Sequence, residues 1–467
     1  MWISERVPED LLTPIFEQLH DQRDLYTCSL VSRTFNRAVT PILYRSWDTR
    51  VVVDLSANDR FKRPHKIFDP VQTFLETPEL LQYVRHAQAT GSIYKYGTKL
   101  FENLLTALGK CRHLESFTWT EQADRLTTQP HEDPMAHSVA DQSLRAVTRV
   151  LHDLPVTELK IRSYVGLSEE TWSELIKIRG LKKLSLWCME GQPRVLQGWS
   201  ETLGNTLTHL ELGRCNGVPP TVLLSVLSHL GQLRSLSIRG APSTVIPHIL
   251  TLLPHLRFLD TDYNPSIAKG RPPEQPLISK LQGLTVRTTG GAEPHNITGW
   301  IKNLVPYPSL ESFKLLGFSV HGDNDLPRRF VLDMAQTHGQ LLKQFHVTGA
   351  SLLWPDVQCV CAMFPMIEDL SVLIFTNDIT LINEAVIEAK NLRTLRVEVG
   401  MASWKASRNK FSVEEAREMM MREGSKLREI RVAGISYKGR WVPVVNPENG
   451  TTYGEFMVSQ DDGERNQ

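Results

Sequence analysis

The sequence predicts an α/β chain: a three-helix module over residues 1–47, a curved solenoid over 48–438, and a cap with a tail over 439–467. Two observations carry this. A six-residue phrase, apolar at its first, fourth and sixth places, returns thirteen times from Leu81 to Leu427, and His86 and Thr261 are the only misfits among its thirty-nine apolar places. Between the phrases run stretches with helical spacing that open on a cap or a proline, such as SEETWSELIKI from Ser168, PPTVLLSVLSHL from Pro219 and SVEEAREMMMRE from Ser412. The unit is then strand, turn, helix, turn, in about thirteen degenerate repeats. Strands of successive units pair in parallel on the concave face, and the helices lie on the convex one. Eight of the twelve intervals between phrases fall between 23 and 29 residues, a period at which each unit buries its apolar face against its neighbours.

The first module is the stretch from Glu5 to Trp47. Pro8 suits a first helical turn, and Glu9 and Asp10 complement the positive end of the helix dipole. Leu11, Leu12, Ile15, Phe16 and Leu19 recur at helical spacing. A polar break from His20 to Asp24 precedes Leu25, Cys28, Leu30 and Val31; Ser32 then caps a third helix carrying Phe35, Ala38 and Val39, which Pro41 stops. Helices of roughly ten residues are too short to stand alone in water, so their apolar faces must meet one another, the next domain or a partner.

After Pro41, LYRSWDTRVVVDL reads as a first strand, with β-branched Val51, Val52 and Val53, at a rigid junction. Asp59 to Pro70 reads as a loop, and a helix starts near Val71 and ends near Pro78. Longer inserts interrupt the array at 121–137, 262–280 and 321–328. The asparagine or cysteine that would satisfy buried turn backbone after the phrase occurs only as Cys215 and Asn264. At the end, Val442 to Val445 reads as one strand and the acidic run DDGERNQ as a disordered tail.

Lys plus Arg equals Asp plus Glu at 52 each, so no global field draws the chain to nucleic acid or to an anionic membrane. The six cysteines are scattered, with no metal-knuckle spacing, and read as reduced, buried thiols. No signal segment and no apolar run of membrane-spanning length is present, which points to cytoplasm or nucleus. The sequons at Asn296 and Asn449 are then coincidental. Gly91, Gly97 and Lys99 miss the spacing of a phosphate loop, and no metalloprotease, nucleophile-elbow or dinucleotide motif occurs. No catalytic residue, cofactor or metal site is expected. The informative surface is the strand face that alternates with the core positions. It holds Lys160, Arg162, Lys183, Trp187, Glu211, Arg239, Phe258, Asp260, Asp262, Arg287, Lys314, His346, Arg396, Glu398 and Arg431. Both charge signs with two aromatics suit a protein partner better than nucleic acid, and Trp187 and Phe258 are the strongest anchors.

The order V-P-E-D-L-L-x-x-I-F-x-x-L, then D-L, then L-V-S-R-x-F, then P-x-L-Y-R, resembles the F-box. It departs from the commonest pattern at Val7, where leucine usually stands, and at Phe35, where tryptophan is frequent. The phrases resemble a degenerate leucine-rich repeat over about 350 residues. Together they resemble fungal-type F-box/leucine-rich-repeat substrate receptors of an SCF (Skp–cullin–F-box) ubiquitin ligase. The resemblance implies that Pro8, Leu11, Leu12 and Ile15, with Leu30, Val31 and Phe35, meet a Skp-type adaptor and through it a cullin. The solenoid would hold an unknown protein substrate, with Lys160, Arg162, Lys183, Trp187, Arg239, Phe258, Asp260, Asp262 and Arg287 as contacts. Two alternatives stay open: a repeat scaffold outside any ligase, with the helices as an end cap, and a small-ligand receptor of the same F-box/repeat type.

Overall fold

The computed structural model describes residues 8–19, 21–49, 52–53, 67–68, 70–90, 98–121, 134–164, 166–189, 193–264, 280–288, 294–317, 325–375, 381–400, 411–445 and 451–462. The chain divides into two units, residues 1–217 and 218–467. The first opens with helices α1 (Glu9–Phe16), α2 (Gln22–Ser29) and α3 (Arg33–Leu43). Pro8 is the N-cap of α1, one residue outside the helix, and its carbonyl accepts from Leu11 N–H at 3.0 Å. Helix α2 begins inside the expected polar break because the Asp21 carboxylate accepts from Arg23 N–H at 2.8 Å and so caps it. Ser32 caps α3 as expected, accepting from Phe35 N–H at 3.2 Å. Pro41 does not stop α3. The helix runs through it to Leu43, and Tyr44 N–H still reaches Thr40 O at 3.1 Å, so the single amide that proline lacks is tolerated one turn from the end.

The module joins the repeats through backbone pairing. Strand β1 (Ser46–Asp48) lies parallel to β4 (His86–Ala89), and Phe74 packs on Tyr44 and Trp47 with ring centroids 5.8 and 4.9 Å away. The strand that opens the sheet is therefore Ser46–Asp48, not the valine run. Val52–Val53 (β2) pairs antiparallel with Ile67–Phe68 (β3) in a separate ribbon, and β3 lies inside the stretch read as a loop. The helix near Val71 spans Pro70–Glu76, followed by a 3₁₀ helix, Pro78–Tyr83.

The sheet of the first unit continues in parallel through β5 (Ser116–Thr120), β6 (Glu158–Ser163), β7 (Lys183–Cys188) and β8 (His209–Leu212). The second unit carries β9 (Ser235–Ile238), β10 (Phe258–Asp262), β11 (Gly283–Thr288), β12 (Ser312–Gly317) and β13 (Gln344–Ser351). Then follow β14 (Asp369–Ile374), β15 (Thr394–Val399) and β16 (Glu429–Val432), all parallel. In phrase after phrase the first, fourth and sixth side chains are buried, while the third and fifth alternate onto the open face. Thr261, a misfit in sequence, is a true core position at 0% exposure in register with Ile238 and Val286. His86 is a misfit because the first phrase starts three residues later. Ala87 and Ala89 face Phe117 and Trp119 across β4 and β5, so Val84 holds the first place, not Leu81.

The expected helices form with their caps. Ser168 caps Glu169–Leu175, and Ser412 with Glu415 makes a reciprocal capping box on Val413–Met421. Pro220–Ser228 starts at its proline. Cys215 is fully buried as expected, but Asn264 is exposed and contributes its backbone, which exchanges hydrogen bonds with Ser243. At the end, β17 (Ile435–Val445) and β18 (Thr452–Asp462) form an antiparallel hairpin on β16. The acidic run thus begins inside a strand at Asp461 and Asp462, because eleven residues of ladder with Trp441 against Phe456 hold it there. Most of the three inserts, residues 91–97 and residues 463–467 lie outside the described residues. No described helix is long and apolar enough to cross a membrane.

Candidate functional site

Two surfaces gather the residues singled out in sequence. On the helical module, Leu12, Phe16, Leu25, Ala38 and Val39 form a closed core, with Leu19, Cys28, Phe35, Ile42 and Leu43 packed around it. Phe35 meets Phe16 edge-on at 5.2 Å. This core leaves four of the apolar side chains singled out in sequence outside it: Leu11 is 52% exposed, Ile15 53%, Leu30 68% and Val31 58%. Leu11 and Ile15 stand one turn apart on α1, about 100° round the helix from Leu12 and Phe16 and outside the core those two fill. Leu30 and Val31 form the turn between α2 and α3. Pro8 is also exposed. Leu12 is 2% exposed and Phe35 half-buried, so of the seven expected contacts these two belong to the inner side of the module. Tyr26, 58% exposed on α2, was not singled out; its place one turn before Leu30 is the only signal that marks it.

The second surface is the open face of the strands, and each unit carries its own part. In the first unit, the Arg162 guanidinium lies over the Trp187 ring at 5.6 Å, and Lys183 Nζ reaches Glu158 at 3.2 Å. Trp187 in turn lies across Gly213, just past the end of the neighbouring strand β8, where a Cβ would have no room. In the second unit, Asp260 sits between two arginines. Arg239 donates to both of its oxygens at 2.7 and 2.6 Å, and Arg287 donates to the same two at 3.2 Å each. Asp262 accepts from Gly240 N–H at 2.7 Å and lies 3.4 Å from Arg239. Against the burial that works to lower it, these carboxylates raise the Arg239 pKa above its ordinary value. Phe258, 49% exposed, covers Gly283 in the same fashion as Trp187 covers Gly213, with 2.7 Å to the place of a Cβ. Farther along, His346 Nε2 stands 2.9 Å and Arg396 3.5 Å from Asp369. Burial works to raise the Asp369 pKa, but the His346 bond and the neighbouring cations hold it below the usual value.

Several of the charges expected to read a partner are thus engaged with neighbours on the same face. Phe258 adds exposed aromatic surface to this face. Among the described residues no cluster of His, Cys, Asp or Glu could hold a metal. Burial pushes the Cys111 and Cys361 thiols up to about 12 and Cys188 to about 11, which keeps them protonated and unreactive near neutral pH.

Residues 4–50 match the F-box-like family model, so the chain carries an F-box-like segment at its helical module. Among curated proteins, none matches the chain. Among solved structures, a crystal structure of a TLR13–ssRNA13 complex is similar at 13% identity, covering 78% of this chain and 47% of that one, with a TM-score of 0.37. The chain spans about half the length of that neighbour.

Proposed function

We infer that the chain is the substrate-recognition adaptor of an SCF-type ubiquitin ligase. Its helical module docks a Skp-type adaptor, through it a cullin, and its repeats hold a target protein. The observation that carries the reading is the division of the module: a filled core on one side, and Leu11, Ile15, Leu30 and Val31 left in water on the other, in the segment that matches the F-box-like model. Each such side chain gains about 1.5–3 kcal/mol when fully buried, so together they supply the core of an interface.

In this reading the chain carries out no reaction. Its work is positional: it raises the effective concentration of a target lysine near a charged conjugating enzyme borne by other subunits, in the cytoplasm or nucleus. The test is capture by a purified Skp-type adaptor. The 467-residue chain should be retained. The double variant Leu11→Asp/Ile15→Asp should be lost while its circular dichroism and melting are unchanged, because both side chains point away from the core. If the unaltered chain is not captured at about micromolar concentration, the ligase reading fails.

A further inference from the structure

Every strand of the array is preceded by a residue at the phrase's second place, and in the second unit these residues form a backbone ladder. Arg257 N–H donates to Arg234 O at 2.8 Å, Gln282 to Arg257 at 2.7 Å, Glu311 to Gln282 at 2.8 Å, Lys343 to Glu311 at 2.8 Å, Glu368 to Lys343 at 2.7 Å and Arg393 to Glu368 at 2.8 Å. Their side chains therefore stand side by side at about 4.8 Å, the strand spacing. Along most of the ladder the signs alternate and pair, Lys343 to Glu311 at 2.8 Å and Arg393 to Glu368 at 3.5 Å.

At its start they do not alternate. Arg234 and Arg257 are like-charged neighbours, both exposed, with Lys280 at the head of the next strand. These three, with Gln232, His255 and Gln282, line a cleft of about 560 Å³ into which no described carboxylate projects. Like charges on adjacent strands destabilise the sheet, and an anion between them reverses the sign of that cost.

We propose that this cleft binds a short segment rich in Asp and Glu from a partner protein, its carboxylates bridging Arg234 and Arg257 with Lys280 alongside. A guanidinium fork matches a carboxylate in two bonds. One exposed ion pair is worth at most about 1 kcal/mol, so a ligand must bring several carboxylates at once, as a peptide does. The positive track ends after three strands at Glu311, which excludes a long polyanion such as a nucleic acid. The proposal rests on the reading of the repeats as the target-holding half of an adaptor, but its test does not involve the helical module, so either can fail alone.

The experiment is fluorescence anisotropy of a labelled tetraglutamate peptide titrated with the whole chain at low salt. Binding should weaken steeply as salt rises, with a tetraglutamine peptide silent. Arg234→Glu/Arg257→Glu should weaken it by about tenfold or more, while the charge-matched Arg329→Glu/Arg417→Glu should leave it unchanged. A silent unaltered chain, equal loss in both double variants, or tighter binding of a thymidine oligonucleotide of equal charge would each overturn the proposal. Matching melting curves for the two variants ensure that loss of fold is not what is read.

Discussion

His338 closes the helix Arg328–His338 and ties down the turn before β12. Its Nδ1 accepts from Ser309 N–H at 3.2 Å and Leu310 N–H at 3.4 Å, which leaves the Nε2 proton to donate to Val305 O at 3.2 Å. Only the neutral ring can do both. Burial lowers its pKa from 6.5, opposed in part by the Val305 bond. A group whose folded pKa is depressed contributes stability above the unfolded value and loses it as pH falls toward the folded one. Thermal melts should thus show a loss as the pH is lowered through 6.5, the ordinary histidine value, and below it. Part of that loss should be missing in His338→Gln; an identical pH slope in the variant would contradict the assignment. Gly213 is a second single-residue device. Gly213→Ala must displace the Trp187 ring, and it should cost about 1–3 kcal/mol in a denaturant titration and shift the tryptophan emission. No shift would mean that the ring does not lie across Gly213.

At the scale of elements, the helical module separates two adjacent leucines with opposite roles. Leu12→Ala empties the module's core and should cost about 2–5 kcal/mol, seen as faster amide exchange throughout α1–α3. Leu11→Asp should leave that exchange unchanged. Equal effects would mean that the two faces of α1 are not distinguished. Helical periodicity made α1–α3 legible, but it could not divide Leu11 from Leu12, since both lie on an apolar stripe wider than the core it covers. The strands were legible for a different reason: a period of two with obligatory burial at alternate places fixes register, so the phrases from Leu114 onward fall where the strands are. The first phrase slipped because Ala87 and Ala89 carry too little apolar signal to outweigh Leu81. The pairing of the β9–β11 charges was not legible, because residues far apart in sequence meet only through the ladder: Asp260→Ala should strand Arg287, leave Arg239 only Asp262, and cost about 1–3 kcal/mol, which a melting curve will detect.

For the whole molecule, sequence conveyed the class of architecture and the existence of a separate helical front, because both follow from apolar periodicity. It did not convey the closing hairpin. Strands β17 and β18 alternate weakly and carry Gly439, Pro443 and Gly454, so their pairing depends on β16 as a template. Nor did it convey that several charges of the open face pair with their neighbours, which moves attention to the apolar surface of the module. Hydrogen–deuterium exchange of the whole chain, with and without a purified Skp-type adaptor, examines that surface most directly. Protection should rise in Leu11–Phe16 and from Tyr26 to Val31 and stay level through the repeats; unchanged exchange in both segments at saturating adaptor would contradict the account.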